Sequence, residues 1–152
     1  MQSAQLTQSK VLFPNELKAH GILSGGRPNE ENLRNAAAAG YKTIINLQME
    51  HEDGVARERE ILSELGLTYV AIPVAGGAGI TAENAAILHR ELEKADQPVI
   101  VHCAGGNRVG ALMALRAFHH QGLGAKEALK VGKETGLRGL EATVIERLNL
   151  AS

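Results

Sequence analysis

Residues that could act covalently on an anion fall within one short stretch. Cys103 is the only cysteine in 152 residues, His102 precedes it, and Arg108 closes the Ala104-Gly105-Gly106-Asn107 turn that follows. Upstream, Val99-Ile100-Val101 reads as a buried strand introduced by Pro98. Downstream, from about Val109 to Phe118, an Ala/Leu-rich pattern reads as a helix. A thiol between strand end and helix start meets the positive end of the helix dipole and several unpaired backbone N–H groups, and both favour a thiolate. The same N–H groups make a nest for an anion, which Gly105 and Gly106 allow to approach closely. Arg108 adds a planar fork of donors suited to phosphate or sulfate oxygens. A lone cysteine is most often a small buried hydrophobe. Here the histidine, the glycines and the arginine converge on an anion-binding nucleophile.

The surrounding pattern supplies elements to hold that stretch. Leu12 to His20 reads as a short helix or irregular cover, with Asn15 able to cap it, and Gly21 to Ser24 as a short strand. After the Gly25-Gly26-Arg27-Pro28 turn, Asn29 caps a helix from about Glu30 to Ala39. A strand from Tyr41 to Leu47 leads into a charged loop, and a helix from Val55 to Leu65 carries an apolar stripe of Val55, Ile61, Leu62 and Leu65. Leu67 to Ile72 is another strand, Pro73 to Ile80 a loop, and Thr81 the cap of a helix from Ala82 to Ala95. Two more helices, about Ala125 to Thr135 and Leu140 to Leu148, close the chain. Strands alternating with helices predict an α/β fold with a mainly parallel central sheet of about four or five strands, flanked by helices. Ligands in such sheets bind beyond the carboxyl ends of the strands. That edge collects Asn46 to Asp53, Pro73 to Thr81 and Cys103 to Arg108.

Composition narrows the function classes. The chain is 44 % hydrophobic and 22 % charged with a net charge of −1, so nothing favours a nucleic-acid or membrane-surface partner. Aromatic content of 3 % with no Trp also argues against base stacking. One cysteine excludes an intrachain disulfide framework, which fits a cytoplasmic protein, or a periplasmic one if a signal peptide was removed. Residues 1–10 read as a flexible tail, residues 11–152 as one domain. No metal site has ligand spacing, because His119 and His120 are adjacent on a helix and point in different directions; no cofactor is expected. Oligomeric state is not legible.

The motif His102-Cys103-Ala104, glycine-rich turn, Arg108 resembles the phosphate-binding loop of cysteine-dependent tyrosine and dual-specificity phosphatases. More closely, the chain resembles the bacterial beta-lactamase-hydrolase-like (BLH) branch of that superfamily. The segments that carry the likeness are Ser24 to Pro28, Ala38 to Leu47, Tyr69 to Pro73 and Val101 to Gly110, spread over residues 22–136. The resemblance implies a dual-specificity-phosphatase-like fold and a phosphocysteine intermediate on Cys103. It implies that the amides of the loop from Ala104 through Gly105, Gly106 and Asn107 to Val109, with the Arg108 guanidinium, hold the phosphoryl oxygens. His102 would then orient the loop by hydrogen bonding, and the substrate would be a phosphorylated small molecule or protein.

Three departures accompany the resemblance. Four residues separate Cys103 from Arg108 where the phosphatase loop usually has five, a length that resembles the loop of rhodanese-type sulfurtransferases. Val109 stands where a hydroxyl residue usually follows the arginine. The loop expected to carry an Asp general acid, Pro73 to Thr81, holds no ionisable side chain. Proton-donor candidates therefore move to His51, Glu52, Asp53 and Glu83, although a solvated charged loop explains the first three and a helix-start acid the last. Asn46, at a strand end, is a candidate brace for the loop, and Arg27 a second anion contact or a plain surface arginine. Two other functions stand beside the phosphatase: a sulfurtransferase using a Cys103 persulfide, and a non-catalytic phosphate- or phosphoprotein-binding module.

Overall fold

Short β-branched runs separated by amphipathic stretches bury most apolar surface as a sheet covered on both faces. A computed structural model, which describes residues 11–149, has that architecture. Strands β1 (Leu17–Ala19), β2 (Ile22–Gly25), β3 (Thr43–Asn46), β4 (Thr68–Ala71) and β5 (Val99–His102) lie in the order β1-β2-β5-β3-β4. The last four are parallel, and β1 joins β2 antiparallel at the edge. The helices are α1 (Glu30–Ala38), α2 (Val55–Leu65), α3 (Ala82–Lys94), α4 (Asn107–His120), α5 (Ala125–Glu134) and α6 (Glu141–Arg147), with a 3-10 turn at Gly76–Gly79. The tail expected over residues 1–10 lies outside the described residues.

The expected helix or irregular cover at Leu12 to His20 is corrected to a turn followed by β1. Glu16 accepts hydrogen bonds from Leu12 N at 2.8 Å and Phe13 N at 3.1 Å, closing the turn, and Phe13 is fully buried beneath it. His20 and Gly21 both have positive φ, 52° and 80°, and form the two-residue turn that folds β1 back on β2. Asn15 caps no helix.

Alternation along β5 divides its side chains between two cores. Val99, Val101 and Cys103 face the core built with α3 to α6; Ile100 faces the core built with α1, α2 and Phe13. α4 is the central helix of the first core, buried at every residue from Val109 to Ala117. It begins two residues earlier than the sequence pattern suggests because Gly106, at φ 95°, turns the chain directly into it. At Gly110 a side chain would strike Leu137 N and Gly132 O, so glycine lets α5 and the segment after it press against the start of α4. In register, β5 places His102 between Gly25 of β2 and Asn46 of β3. Three loops therefore leave the sheet at one level, at its carboxyl edge.

Candidate active site

Cys103 is the first residue past β5, and its side chain turns toward α4. Its backbone N–H donates to Gly25 O at 3.2 Å, and its sulfur accepts the Gly106 N–H at 3.0 Å. The residue is 1 % exposed, at the floor of the loop.

The loop carbonyls are drawn outward. Ala104 O accepts from Arg27 N at 2.9 Å, Gly105 O from Asn15 Nδ2 at 3.2 Å and from Arg138 Nη2, and Gly106 O from Gly110 N at 3.2 Å. With the carbonyls so occupied, the amides of Ala104, Gly105, Asn107, Arg108 and Val109 have no acceptor among the described residues. They form the nest expected at a helix start. Two glycines that flank it leave no room for a side chain. A methyl group on Gly26 would lie 2.8 Å from Ala104 O, and one on Gly136 would strike Gly106 O. The Asn107 side chain turns away from the nest. Its Oδ1 accepts from Arg138 N at 2.8 Å and Leu140 N at 3.2 Å, fastening the segment that carries Arg138.

Arg108 is held by a carboxylate. Its Nη1 and Nη2 donate to Glu52 Oε2 and Oε1 at 2.7 and 2.8 Å, and Nη1 also donates to Val74 O at 2.9 Å. Nε–H and the second Nη2 proton meet no oxygen or nitrogen acceptor among the described residues, and the guanidinium has the Cys103 sulfur near it. The pair is mostly buried, with side-chain exposures of 13 % and 17 %. The Arg108 hydrogen bonds pull the Glu52 carboxyl down to about 2 against the opposing effect of burial, with the Met49 amide contributing. Glu52 in turn raises Arg108, and the Cys103 sulfur adds to that. Glu52 is therefore ionised at neutral pH. The expectation of a solvated charged loop is corrected for this residue: it is the arginine's anchor, and in this state it has no proton to donate.

His102 points the opposite way from Cys103 and is fully buried beside Phe13, ring centroids 5.6 Å apart. Its Nδ1 lies 3.3 Å from Cys103 O and its Nε2 2.6 Å from Glu58 Oε2. Glu58 Oε1 accepts from Asn46 Nδ2 at 3.1 Å, and the same Nδ2 lies 3.2 Å from the Tyr69 hydroxyl. Burial raises the Tyr69 phenol, with the Glu58 charge adding and the Asn46 hydrogen bond opposing. Asn46 Oδ1 accepts from Gln48 N at 2.9 Å. With its amide oxygen toward Arg27, Gln48 accepts from Nε at 3.0 Å and Nη2 at 3.2 Å. Asn46 thus links the cysteine side of the site to the arginine side.

Of the remaining candidates, Arg27 joins the site by its backbone and by a guanidinium 3.8 Å from Glu52. His51 and Asp53 are exposed, and Glu83 lies exposed in the first turn of α3. None of these three has a hydrogen bond to the loop. His119 and His120 lie at the far end of α4, where His120 stacks on His89. Glu58 and Arg138 were not legible as site residues. Glu58 did leave a signal, a carboxylate inside the apolar stripe Val55, Ile61, Leu62. Arg138 left none, since its place depends on how α5 packs.

The family model described as "Beta-lactamase hydrolase-like protein, phosphatase-like domain" matches residues 26–119. A beta-lactamase hydrolase-like protein of Xylella fastidiosa is 34 % identical over 94 residues. That alignment takes in 59 % of this chain but 22 % of the relative, so the chain spans about a fifth of the curated relatives it matches. Among solved structures, a protein of Neisseria meningitidis superposes with a TM-score of 0.72 at 19 % identity, covering 91 % of this chain and 99 % of that one. The core catalytic domain of the PP-IP phosphatase SIW14 from S. cerevisiae gives 0.66 at 20 % identity, covering 91 % and 87 %. TpbA of P. aeruginosa, solved in complex with phosphotyrosine, gives 0.64 at 17 % identity, covering 95 % and 89 %.

Proposed function

Because this chain belongs to the beta-lactamase hydrolase-like, phosphatase-like domain family, we propose that it is a cysteine-dependent phosphatase acting on phosphomonoesters. The observation that carries the reading is the set of unpaired amides of Ala104, Gly105, Asn107, Arg108 and Val109 around the Cys103 sulfur, with the open edge of Arg108 beside them. The Cys103 thiolate attacks phosphorus, the S–P bond forms, and the P–O bond breaks with its electron pair leaving on the ester oxygen. The amides and the Nε/Nη2 fork hold the non-bridging oxygens, where negative charge sits in the transition state. Water then attacks phosphorus, releasing phosphate and restoring the thiolate. Substrates are phosphorylated small molecules or proteins. Glu52 holds Arg108, His102 and Asn46 brace the loop, and the leaving group departs without help from Glu52.

One observation favours a second reading. The loop has four residues between Cys103 and Arg108, the length that resembles rhodanese-type sulfurtransferases, and the Gly106 N–H already donates to the sulfur. In sulfur transfer, the Cys103 thiolate attacks the sulfane sulfur of a thiosulfate-like donor and sulfite leaves with the bonding pair. The outer sulfur of the persulfide then passes to a nucleophile such as cyanide. Wild type and Cys103→Ser assayed with an aryl phosphate, and separately with thiosulfate plus cyanide, decide between the two. Phosphate release lost in Cys103→Ser supports the first reading, and thiocyanate formation lost in it supports the second. Silence in both assays, with phosphate still raising the melting temperature, leaves a binding module and overturns catalysis.

A further inference from the structure

We propose that Glu58 is a positioning residue that acts on Cys103 through His102. It holds the imidazole with a proton on Nδ1 directed at the Cys103 carbonyl oxygen. The starting point is a proton count. Cys103 O can only accept, so the 3.3 Å contact requires a proton on His102 Nδ1. The 2.6 Å contact between Nε2 and Glu58 Oε2 requires one more proton between those two atoms. The pair therefore holds two protons over three sites and is neutral as a unit, which suits a histidine with no exposure and a glutamate 3 % exposed. What one ring nitrogen carries is set by the hydrogen bond that the other makes. Were Glu58 absent, Nδ1 could give up its proton to Nε2 and face the carbonyl with a lone pair.

The carboxylate is itself fixed. Asn46 Nδ2 holds Oε1, the Glu58 backbone N–H donates to Gly54 O at 2.9 Å, and Tyr69 and the Arg59 guanidinium above its ring lie behind Asn46. None of these side chains has a hydrogen bond to the residues of the nest. Their effect on Cys103 passes through the peptide between the thiol and the first amide of the nest. An Nδ1–H donor at that carbonyl draws electron density from the Cys103–Ala104 peptide and favours negative charge on the sulfur.

The proposal rests on Cys103 being the reactive group, whichever of the two transfers it performs, so its test uses no substrate. Ultraviolet thiolate absorbance against pH reports the one cysteine, with Cys103→Ser as the blank. Glu58→Gln is expected to move the thiolate midpoint to higher pH, leaving less thiolate at any pH below it. In a His102→Gln background the same change is expected to move nothing. A midpoint unchanged by Glu58→Gln in folded protein, or a shift that persists without His102, overturns the proposal. Should Glu58→Gln fail to fold, nitrogen-15 NMR of the wild-type His102 ring decides it. Protonated Nδ1 is expected, and Nδ1 carrying a lone pair overturns it. A wild-type protein silent in both transfer assays, with the midpoint shift still seen in Glu58→Gln, would sink the functional reading alone.

Discussion

The ion pair between Glu52 and Arg108 makes a prediction whose size follows from geometry. Both carboxylate oxygens are taken by guanidinium protons at 2.7 and 2.8 Å, and the carboxyl falls from its ordinary 4.5 to about 2. At about 1.4 kcal/mol for each tenfold change in an equilibrium constant, that fall corresponds to roughly 3 kcal/mol of folding stability. Neither side chain is more than 17 % exposed, so solvent screening removes little of it. The sign is that of a depressed acid. The contribution is fully present above pH 4.5 and is lost as pH falls through about 2, because the unfolded chain takes up the proton first. Glu52→Gln should therefore cost most near pH 7. For a chain of this length, roughly 3 kcal/mol is worth about 6–12 °C in Tm. Urea unfolding of wild type and Glu52→Gln between pH 7 and pH 2 should show two stability curves that converge below pH 4.5. Curves that stay parallel down to pH 2 would refute the pairing, whatever their separation at pH 7.

Other consequences follow from the walls and fastenings of the loop. Gly26→Ala puts a methyl group 2.8 Å from Ala104 O, so phosphate-induced stabilisation, read as the Tm rise at fixed phosphate, should fall sharply while the fold loses about 1–3 kcal/mol. Asn107→Ala frees Arg138 N and Leu140 N, and should cost about 1–2 kcal/mol in urea unfolding without abolishing phosphate binding, because the nest uses the Asn107 amide and not its side chain. Arg108→Lys keeps the charge but removes the fork; phosphate should bind about tenfold more weakly by calorimetry, and equal binding would show that the fork is unused.

Much of the architecture can be read from periodicity and punctuation. The helix expected from Val55 to Leu65 has those bounds, with Gly66 as its C-cap, and Thr81 caps α3 as expected through a 3.0 Å bond from Asn84 N. β1 is different. Its three residues are mostly exposed and carry no alternating pattern, and the hairpin is announced only by a glycine after His20. The site divides in the same way. Cys103, the glycines and Arg108 are adjacent in the chain, so local sequence places them together. Glu52 and Glu58 reach the site from another loop and helix, so their roles depend on register. A glutamate pinned by an arginine and one free in solvent look alike in sequence. Arg138 depends on the close contact of Gly110 with Gly132 and Leu137, a packing detail with no periodic trace.

The central claim is that the sulfur of Cys103 takes up the transferred group. Wild-type protein mixed with an aryl phosphate, quenched in alkaline denaturant and digested at alkaline pH, should give a peptide containing Cys103 that carries one added phosphoryl mass, absent from Cys103→Ser. Phosphate released by wild type with no such adduct, or an adduct on any other residue, would contradict the account.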